Sequence, residues 1–334
     1  MNPLLRITHE ASEEMIQLLE ETTLGTDGAQ YQLLNTRQRI HQIDNPVHLT
    51  LVRNDKILAN LTFCIRGKNW YLRYFAFDKR FQGKGLRESR SKNSILKAEI
   101  IDFFKTKLEA KEVDSFYAYI DPKNTKSSLL AGYFGFKTIG QIRTQSFSRY
   151  LPKSILHLKK SNDFGLIESL ATNHFGKQNF FFTAQLKKNG FYYLQNEEGE
   201  IIAFAQVNHA HWKIKRLPGK SGHLMKKAIP YLPLVNKLIK PDNHKFVAVD
   251  TVWMKTPSAT LLSDLFETIL YIEKRNVLFW WHDVDDSYFN QFKKQITWGL
   301  INLLLKRPKV DVVAFPKPNF DTNSQHYVSA IDMI

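Results

Sequence analysis

Residues 80–86, RFQGKGL, combine two kinds of group that hold a phosphate. Gly83 and Gly85 carry no Cβ, so the backbone can approach a ligand closely and turn N–H groups towards it. Arg80 and Lys84 add positive charge. A helix starting just beyond would contribute its N-terminal amides and dipole. The spacing is neither the G-x-x-x-x-G-K-[ST] of nucleoside-triphosphate loops nor the three-glycine dinucleotide fingerprint. Taken alone, the segment fits a surface turn better than a site.

Other clusters are open to chemistry as well. WWHDVDD (280–286) sets His282 beside Asp283, Asp285 and Asp286, a set that could take a divalent cation or a basic substrate. It lies between a strand and a helix, where acids cap amides, and capping is the expectation. NHAHW places His209 and His211 on one face of a strand without a third ligand, so no metal is expected. The sole cysteine, Cys64, sits in the strand-like LTFCIR and reads as a buried thiol. HWKIKRLPGKSGHLMKK (211–227) is the densest basic stretch. It reads as a solvated insertion, or one covering a substrate channel.

The elements that must position these residues run in the same order twice. A short strand LLRIT precedes a helix over EASEEMIQLLEETTL, which is followed by a second helix over YQLLNTRQRIHQI. Three strands, HLTLVRND, KILANLTFCIRG and NWYLRYFAF, are separated by NDK and GKN turns. A long helix lies within 91–110, then a strand SFYAYID, a short helix NTKSSLLAGYF and a strand KTIGQIRTQSFSRY. The second half has a strand SILHLKK, a helix DFGLIESLATNHF and a hairpin turning at Glu198-Gly199. After the insertion come the strand KFVAVDTVWM, the helix LLSDLFETILYIEKR and the strand VLFWWHDV. A helix over 288–305 and a strand VDVVAFP close the chain. The expected organisation is two domains, 1–150 and 151–334, joined near Pro152.

Composition sets outer bounds. A chain of 334 residues exceeds one comfortable core. The net charge of +15 divides as +7 and +8 between the two halves, so no basic block marks a nucleic-acid arm. The charge favours anionic ligands in general. No apolar run reaches the roughly 20 residues of a membrane span, and the N-terminus lacks a signal-peptide pattern. One cysteine suits a reducing compartment, so a cytoplasmic location is expected, with neither nucleic acid nor membrane as partner.

The glycine segment resembles motif A of the GNAT acyltransferase superfamily, [Q/R]-x-x-G-x-[G/A], at Arg80, Gly83 and Gly85. It follows the strand WYLRYFAF, as it does in that family. Downstream, YAYIDPKNTKSSLLAGYFGF is similar to the family's later signature, with Asn124 and Gly135-Phe136 in the matching places. The resemblance covers most of residues 1–150. It implies an α/β (α+β) fold of two tandem GNAT-like domains, each a mixed, mostly antiparallel sheet flanked by helices. It also implies that Arg80, Phe81, Gln82, Gly83, Lys84, Gly85, Leu86 and Asn124 bind acetyl-CoA or another acyl-CoA as co-substrate. The activity implied is N-acyl transfer, as acetyl, to a small-molecule or peptide amine.

The sequence departs from the family in four places. LRESRSKNS is polar where the helix should continue, leaving Arg87, Arg90 and Lys92 in a loop that reaches the coenzyme or is solvated. Ala131 stands where many members have a tyrosine that protonates the leaving thiolate. Tyr133 and Tyr74 are the remaining catalytic candidates. NWYLRYFAF carries no carboxylate, and strand alternation sends Arg73 and Tyr74 to opposite faces. The second half has VWMKTPSATLLSDLF, without glycine, at the equivalent place. It is expected to have lost cofactor binding and to serve substrate specificity or an interface. Two other readings compete: an aminoacyl-tRNA-dependent ligase of tandem-GNAT type, and a non-catalytic coenzyme A-binding module.

Overall fold

The computed structural model describes residues 5–25, 29–78, 95–187, 189–219, 221–305, 307–316 and 324–334. The chain forms two compact units, Met1–Ile139 with Asp311–Asn319 and Gly140–Val310 with Phe320–Ile334. These do not coincide with consecutive halves meeting at 150. The strand expected to close the first half, Lys137–Ser148, pairs through Ile142–Ser148 within the second unit. The chain's last strand in turn belongs to the first unit from Asp311 onward.

In the first unit the strands are β1 (Leu5–Thr8), β2 (Gln30–Leu33), β3 (Val47–Arg53), β4 (Lys56–Arg66), β5 (Asn69–Phe77) and β6 (Ser115–Ile120). β1, β3, β4 and β5 pair antiparallel in that order, β5 pairs β6 parallel, and β6 pairs antiparallel with the final strand, Lys309–Phe315. The β3–β4 turn puts Asn54 and Asp55 at φ 49° and 56°, a left-handed pair that these residue types tolerate. One face of the sheet buries Leu49, Leu61, Phe63, Trp70, Phe116 and Val313 against Ile100, Phe103 and Phe104 of the helix Ile95–Glu109. The other face meets Met15, Ile16 and Leu19 of the helix Glu13–Glu21. The expected helix over YQLLNTRQRIHQI is instead β2 followed by the short helix Thr36–Ile40. An apolar run as short as YQLL fits either period, and a bridge between Leu24 and Tyr31 decides for strand.

The second unit repeats this plan with β7 (Lys137–Ser148), β8 (Lys159–Ser161), β9 (Phe191–Gln195), β10 (Ile201–Arg216), β11 (His244–Met254) and β12 (Val277–Asp283). β8, β9, β10 and β11 pair antiparallel, β11 pairs β12 parallel, and β12 pairs antiparallel with β7. With β13 (Lys309–Phe315) in the first sheet, each unit takes its sixth strand from the other half of the sequence. The helix Ala259–Ile272 presents Leu262, Leu265, Phe266 and Ile269, all without solvent exposure, to the core, and Ser258 caps it by accepting from the Leu261 N–H. The single helix expected over 288–305 is broken. Gly299 stands at φ +87°, and a Cβ there would lie 2.2 Å from the Ser148 carbonyl oxygen, so only glycine fits this close approach to β7. SILHLKK yields only the three-residue β8. Among the described residues no helix is long and apolar enough to cross a membrane.

Candidate functional site

The same defect occurs at one place in each sheet. The parallel β5–β6 ladder holds three pairs, Asn69–Ser115, Trp70–Phe116 and Tyr71–Tyr117, and stops. β5 continues beside β4 as far as the Ala59–Phe77 pair, and β6 beside β13 as far as Ile120–Asp311, so the two strands part there. Beyond the last shared pair, β5 bulges: Thr62 pairs Tyr74 and Phe63 pairs Leu72, which makes Arg73 the extra residue of the strand. In the second unit β11 and β12 likewise hold three pairs ending at Val249–Trp280. The register with β10 then shifts at Thr251, which adopts φ +48°. Arg73 and Thr251 each lie two residues past the last shared pair, which identifies the duplication from backbone geometry alone.

The bulge corrects one expectation. Strict alternation separates Arg73 and Tyr74, yet the Arg73 guanidinium lies 5.0 Å from the centroid of the Tyr74 ring. The extra residue in the strand turns both towards one side. Arg39, only 8% exposed on the short helix Thr36–Ile40, is close enough for its pKa to respond to both. Burial first, and then the Arg73 charge, pushes Arg39 down to about 10. Two guanidinium groups thus gather beside Tyr74.

On the same side, a row of polar side chains crosses three strands. His48, Thr62 and Tyr74 are successive cross-strand partners on β3, β4 and β5. His48 Nδ1 is 2.9 Å from Thr62 Oγ1, and Asn60 Nδ2 donates to the same oxygen at 2.9 Å and to the Tyr74 carbonyl at 3.2 Å. These side chains are at least nine-tenths buried, and three of their atoms have no partner among the described residues: His48 Nε2, Asn60 Oδ1 and the Tyr74 hydroxyl. Thr62 already accepts from Asn60. Its hydroxyl proton is used if it donates to His48 Nδ1, which assigns the ring proton to Nε2. The cluster then offers one unmatched donor, one unmatched acceptor and one hydroxyl that can be either. Leaving such groups unmatched costs about 1–3 kcal/mol each. Tyr74 lies three residues beyond the last β5–β6 pair, so the cluster borders the place where the strands part.

The residues singled out from sequence fare differently. Arg80, Phe81, Gln82, Gly83, Lys84, Gly85 and Leu86, together with Arg87, Arg90 and Lys92, lie outside the described residues. Asn124 caps the helix Thr125–Tyr133 by accepting from the Ser127 N–H at 3.1 Å. Tyr133 is 39% exposed, with Lys97 Nζ 5.1 Å from its ring centroid. Sequence reading missed His48, Asn60 and Thr62. The available signal was a polar residue at every second position of HLT and NLT, which ordinarily marks a solvated strand face. It also passed over Asp121, at the end of β6, whose charge adds to burial in pushing the Tyr31 hydroxyl up to about 12.

In the second unit the matching place holds the chain's own C-terminal segment. Tyr327 and Thr251 share a 2.7 Å hydrogen bond between hydroxyls. Asp283 accepts from the His326 backbone N–H at 2.8 Å and lies 2.8 Å from its ring Nδ1. Asp250 accepts from the Ala330 N–H at 2.6 Å and the Ser329 hydroxyl at 3.3 Å. A cavity of about 30 Å³ remains beside Trp281, His282, Tyr288 and Gln325, room for a water or two. Asp286 caps the turn Ser287–Asn290 through the Phe289 N–H, as WWHDVDD suggested. His209 and His211 are engaged separately, by Glu273 at 2.6 Å and Asn243 at 2.5 Å.

Burial sets the acid response of these groups. His48, His244 and His282 are each pushed down to about 4, chiefly by desolvation. The unfolded chain therefore binds more protons than the fold between about pH 6.5 and 4, and stability falls as pH drops through that window. Asp250, pushed up to about 7 by burial, acts oppositely, its contribution being lost as pH rises from about 4 to 7. Three imidazoles outweigh one carboxyl, each carrying up to roughly 3 kcal/mol. Denaturant titrations at pH 7 and pH 4.5 are expected to show lower stability at the lower pH. Equal midpoints would contradict this charge assignment.

No protein-family model matches the sequence, and no curated protein matches it. Solved structures do. N-myristoyltransferase of Saccharomyces cerevisiae with bound myristoyl-CoA aligns at a TM-score of 0.57 and 10% identity, over 96% of this chain and 88% of that one. A tandem GNAT protein from the clavulanic acid biosynthesis pathway gives 0.53 at 9% identity, over 93% and 98%. A putative acetyltransferase from Pyrococcus horikoshii gives 0.52 at 9%, over 98% and 95%. The chain therefore has a tandem GNAT fold, α/β, with helices flanking mixed sheets. Identities this low carry the fold and nothing of the reaction.

Proposed function

We propose that the protein is an acyl-CoA-dependent N-acyltransferase whose first unit both binds the cofactor and carries out the transfer. The observation that supports this most is the parting of β5 and β6 beside a bulge and a row of unmatched buried polar atoms. Two diverging strand edges present backbone groups to an amide-containing arm such as pantetheine, and the polar row gives a second ligand its contacts. The GNAT fold agrees with this reading, and one protein of that fold is seen with myristoyl-CoA bound.

In this reading the amides of Gln82–Leu86 hold the pyrophosphate, flanked by Arg80 and Asn124. Asn60 Oδ1 accepts an N–H of the incoming amine. His48 Nε2–H and the Tyr74 hydroxyl donate to the acyl oxygen or to the acceptor's own polar groups. The amine nitrogen bonds to the thioester carbonyl carbon, the C–S bond breaks, and the proton lost by nitrogen ends on the coenzyme A thiol. Attack is direct, so positioning and oxygen stabilisation carry most of the acceleration. The charges of Arg39 and Arg73 favour an acceptor that carries a carboxylate, such as an amino acid or peptide, over a polyamine. The second unit, its matching place filled by residues 326–330, serves specificity or structure rather than cofactor binding.

Calorimetric titration with coenzyme A tests the cofactor assignment. Binding is expected in the wild type and is reduced at least about a hundredfold in Gly83→Asp, whose carboxylate would repel the phosphates. Absence of binding to the wild-type protein, or an unaffected variant, would sink the proposal. A panel of acyl-CoA chain lengths against amino acids and polyamines then separates acetyl from longer transfer. Binding without turnover over that panel would leave a cofactor-binding module. Salt-sensitive tRNA binding without coenzyme A binding would point to the ligase reading.

A further inference from the structure

The insertion between β10 and β11, together with the strand ends that flank it, has a composition unlike the rest of the chain. Between residues 211 and 245 there are nine Lys and Arg against a single acid, Asp242, which is 3.3 Å from Lys226. The net charge of +15 is thus concentrated far more than the even split between halves suggests. The segment folds onto the second unit through Leu217, Ile229, Leu238 and Ile239, each no more than 8% exposed. Its two short helices, Gly222–Ala228 and Pro233–Leu238, spend only part of their apolar residues on that core.

The rest point outward. Tyr231 is 84% exposed, Leu224 68%, Leu234 62%, Leu232 48% and Met225 42%. Five of the large apolar side chains standing in solvent thus fall within eleven consecutive residues, interleaved with Lys226 and Lys227 and followed by Lys237 and Lys240. Scattered exposed leucines need no explanation, but five exposed apolar residues within so short and basic a stretch do.

We propose that this insertion docks the protein on an anionic lipid surface, with Leu224, Tyr231 and Leu234 entering the headgroup boundary and the lysines lying along it. Three features favour lipid over a protein partner. Eight of the nine basic residues are lysine, the cation depleted at protein interfaces, where arginine is preferred. Lysine instead extends its chain along apolar surface and leaves its charge among headgroups. The exposed apolar side chains are interleaved with lysines along the chain, so a protein would need an apolar pocket beside a partner for each charge. A fluid interface needs none. Tyrosine, the most exposed of them, suits a boundary that is apolar at one end and wet at the other. No spanning segment is involved, and the inference does not depend on the acyltransferase reading.

The test is co-sedimentation of the full chain with vesicles of phosphatidylcholine mixed with phosphatidylglycerol, against pure phosphatidylcholine. Binding to the mixed vesicles that weakens as salt rises is expected, with little on the neutral ones. The triple variant Leu224→Asp, Tyr231→Asp, Leu234→Asp should bind at least about tenfold more weakly, because both apolar contact and charge balance are lost. All three positions are exposed, so its melting temperature should match the wild type. Lys227→Glu, Lys237→Glu and Lys240→Glu together should give a similar loss. The proposal is overturned if the mixed vesicles bind no better than neutral ones, or if the apolar triple variant binds them as well as the wild type. An acidic polypeptide captured in place of vesicles, with the same variants weakening it, would assign the face to a protein and overturn it equally.

Discussion

Residues 1–150 produced alone will not form a cooperatively melting unit, although they span every motif that suggested a first domain. Their sheet would lack β13. Val312 and Ala314 have no solvent exposure in the whole protein, and Val313 is 7% exposed within the core that the long helix covers. Phe315 lies 6.0 Å from Phe104 and 5.9 Å from Phe136, ring centroid to centroid. Burying side chains of this size contributes about 1.5–3 kcal/mol each, so removing the strand costs an amount comparable with the 5–15 kcal/mol that stabilises a whole domain. β6 would also become an open edge, and Phe147, fully buried in the second unit, would be left in solvent. The fragment is expected to aggregate or to melt without a transition, whereas residues 1–139 joined by a linker to residues 309–319 should melt cooperatively. Calorimetry and size-exclusion chromatography of the two decide the matter. A cooperative transition in 1–150 near that of the full chain would refute the exchange of strands.

Tyr74→Phe should leave the protein as stable as the wild type, or slightly more so, while acyl transfer falls by at least about tenfold. The ring is buried among Met15, Ile16 and Leu19, and phenylalanine retains that packing together with the contact to Arg73. Only the hydroxyl is lost, and it has no hydrogen-bond partner among the described residues. A hydroxyl that served structure would cost stability on removal. One kept unmatched for a ligand would not. Coenzyme A binding should change little, because the proposed cofactor contacts lie elsewhere. The measurements are a thermal melt, a coenzyme A titration and an initial rate on the same preparation. A less stable variant with an unchanged rate would assign Tyr74 to the core and remove it from the site.

Much of this was legible in the chain. The strand triplet HLTLVRND, KILANLTFCIRG and NWYLRYFAF became β3, β4 and β5, because period-two patterning and asparagine or glycine turns are local properties. The expectation for Cys64 agrees with its place inside β4, with no exposure. The site was read less well. Its polar residues, His48, Asn60 and Thr62, alternate with apolar ones as any solvated strand face does. Whether the covering layer is water or a helix is not encoded in the strand itself. The bulge was invisible for a related reason: nothing in YLRYF says that the register slips at Arg73, since register depends on which residues β4 brings opposite it.

The sequence by itself determined the repeated order of elements, the phosphate-loop pattern around Gly83 and Gly85, and the absence of that pattern from the second half. These follow from side-chain periodicity and from glycine's conformational freedom, which act over a few residues. Tertiary structure alone decided which unit each sixth strand joins, and that Tyr327 and Asp283 close the second unit's cleft around the C-terminal segment. KTIGQIRTQSFS and KVDVVAF are equally competent strands. The choice between them rests on pairings more than 130 residues apart in sequence, Trp280 with Gln145 and Ala118 with Val313, where burial of whole faces outweighs any local preference.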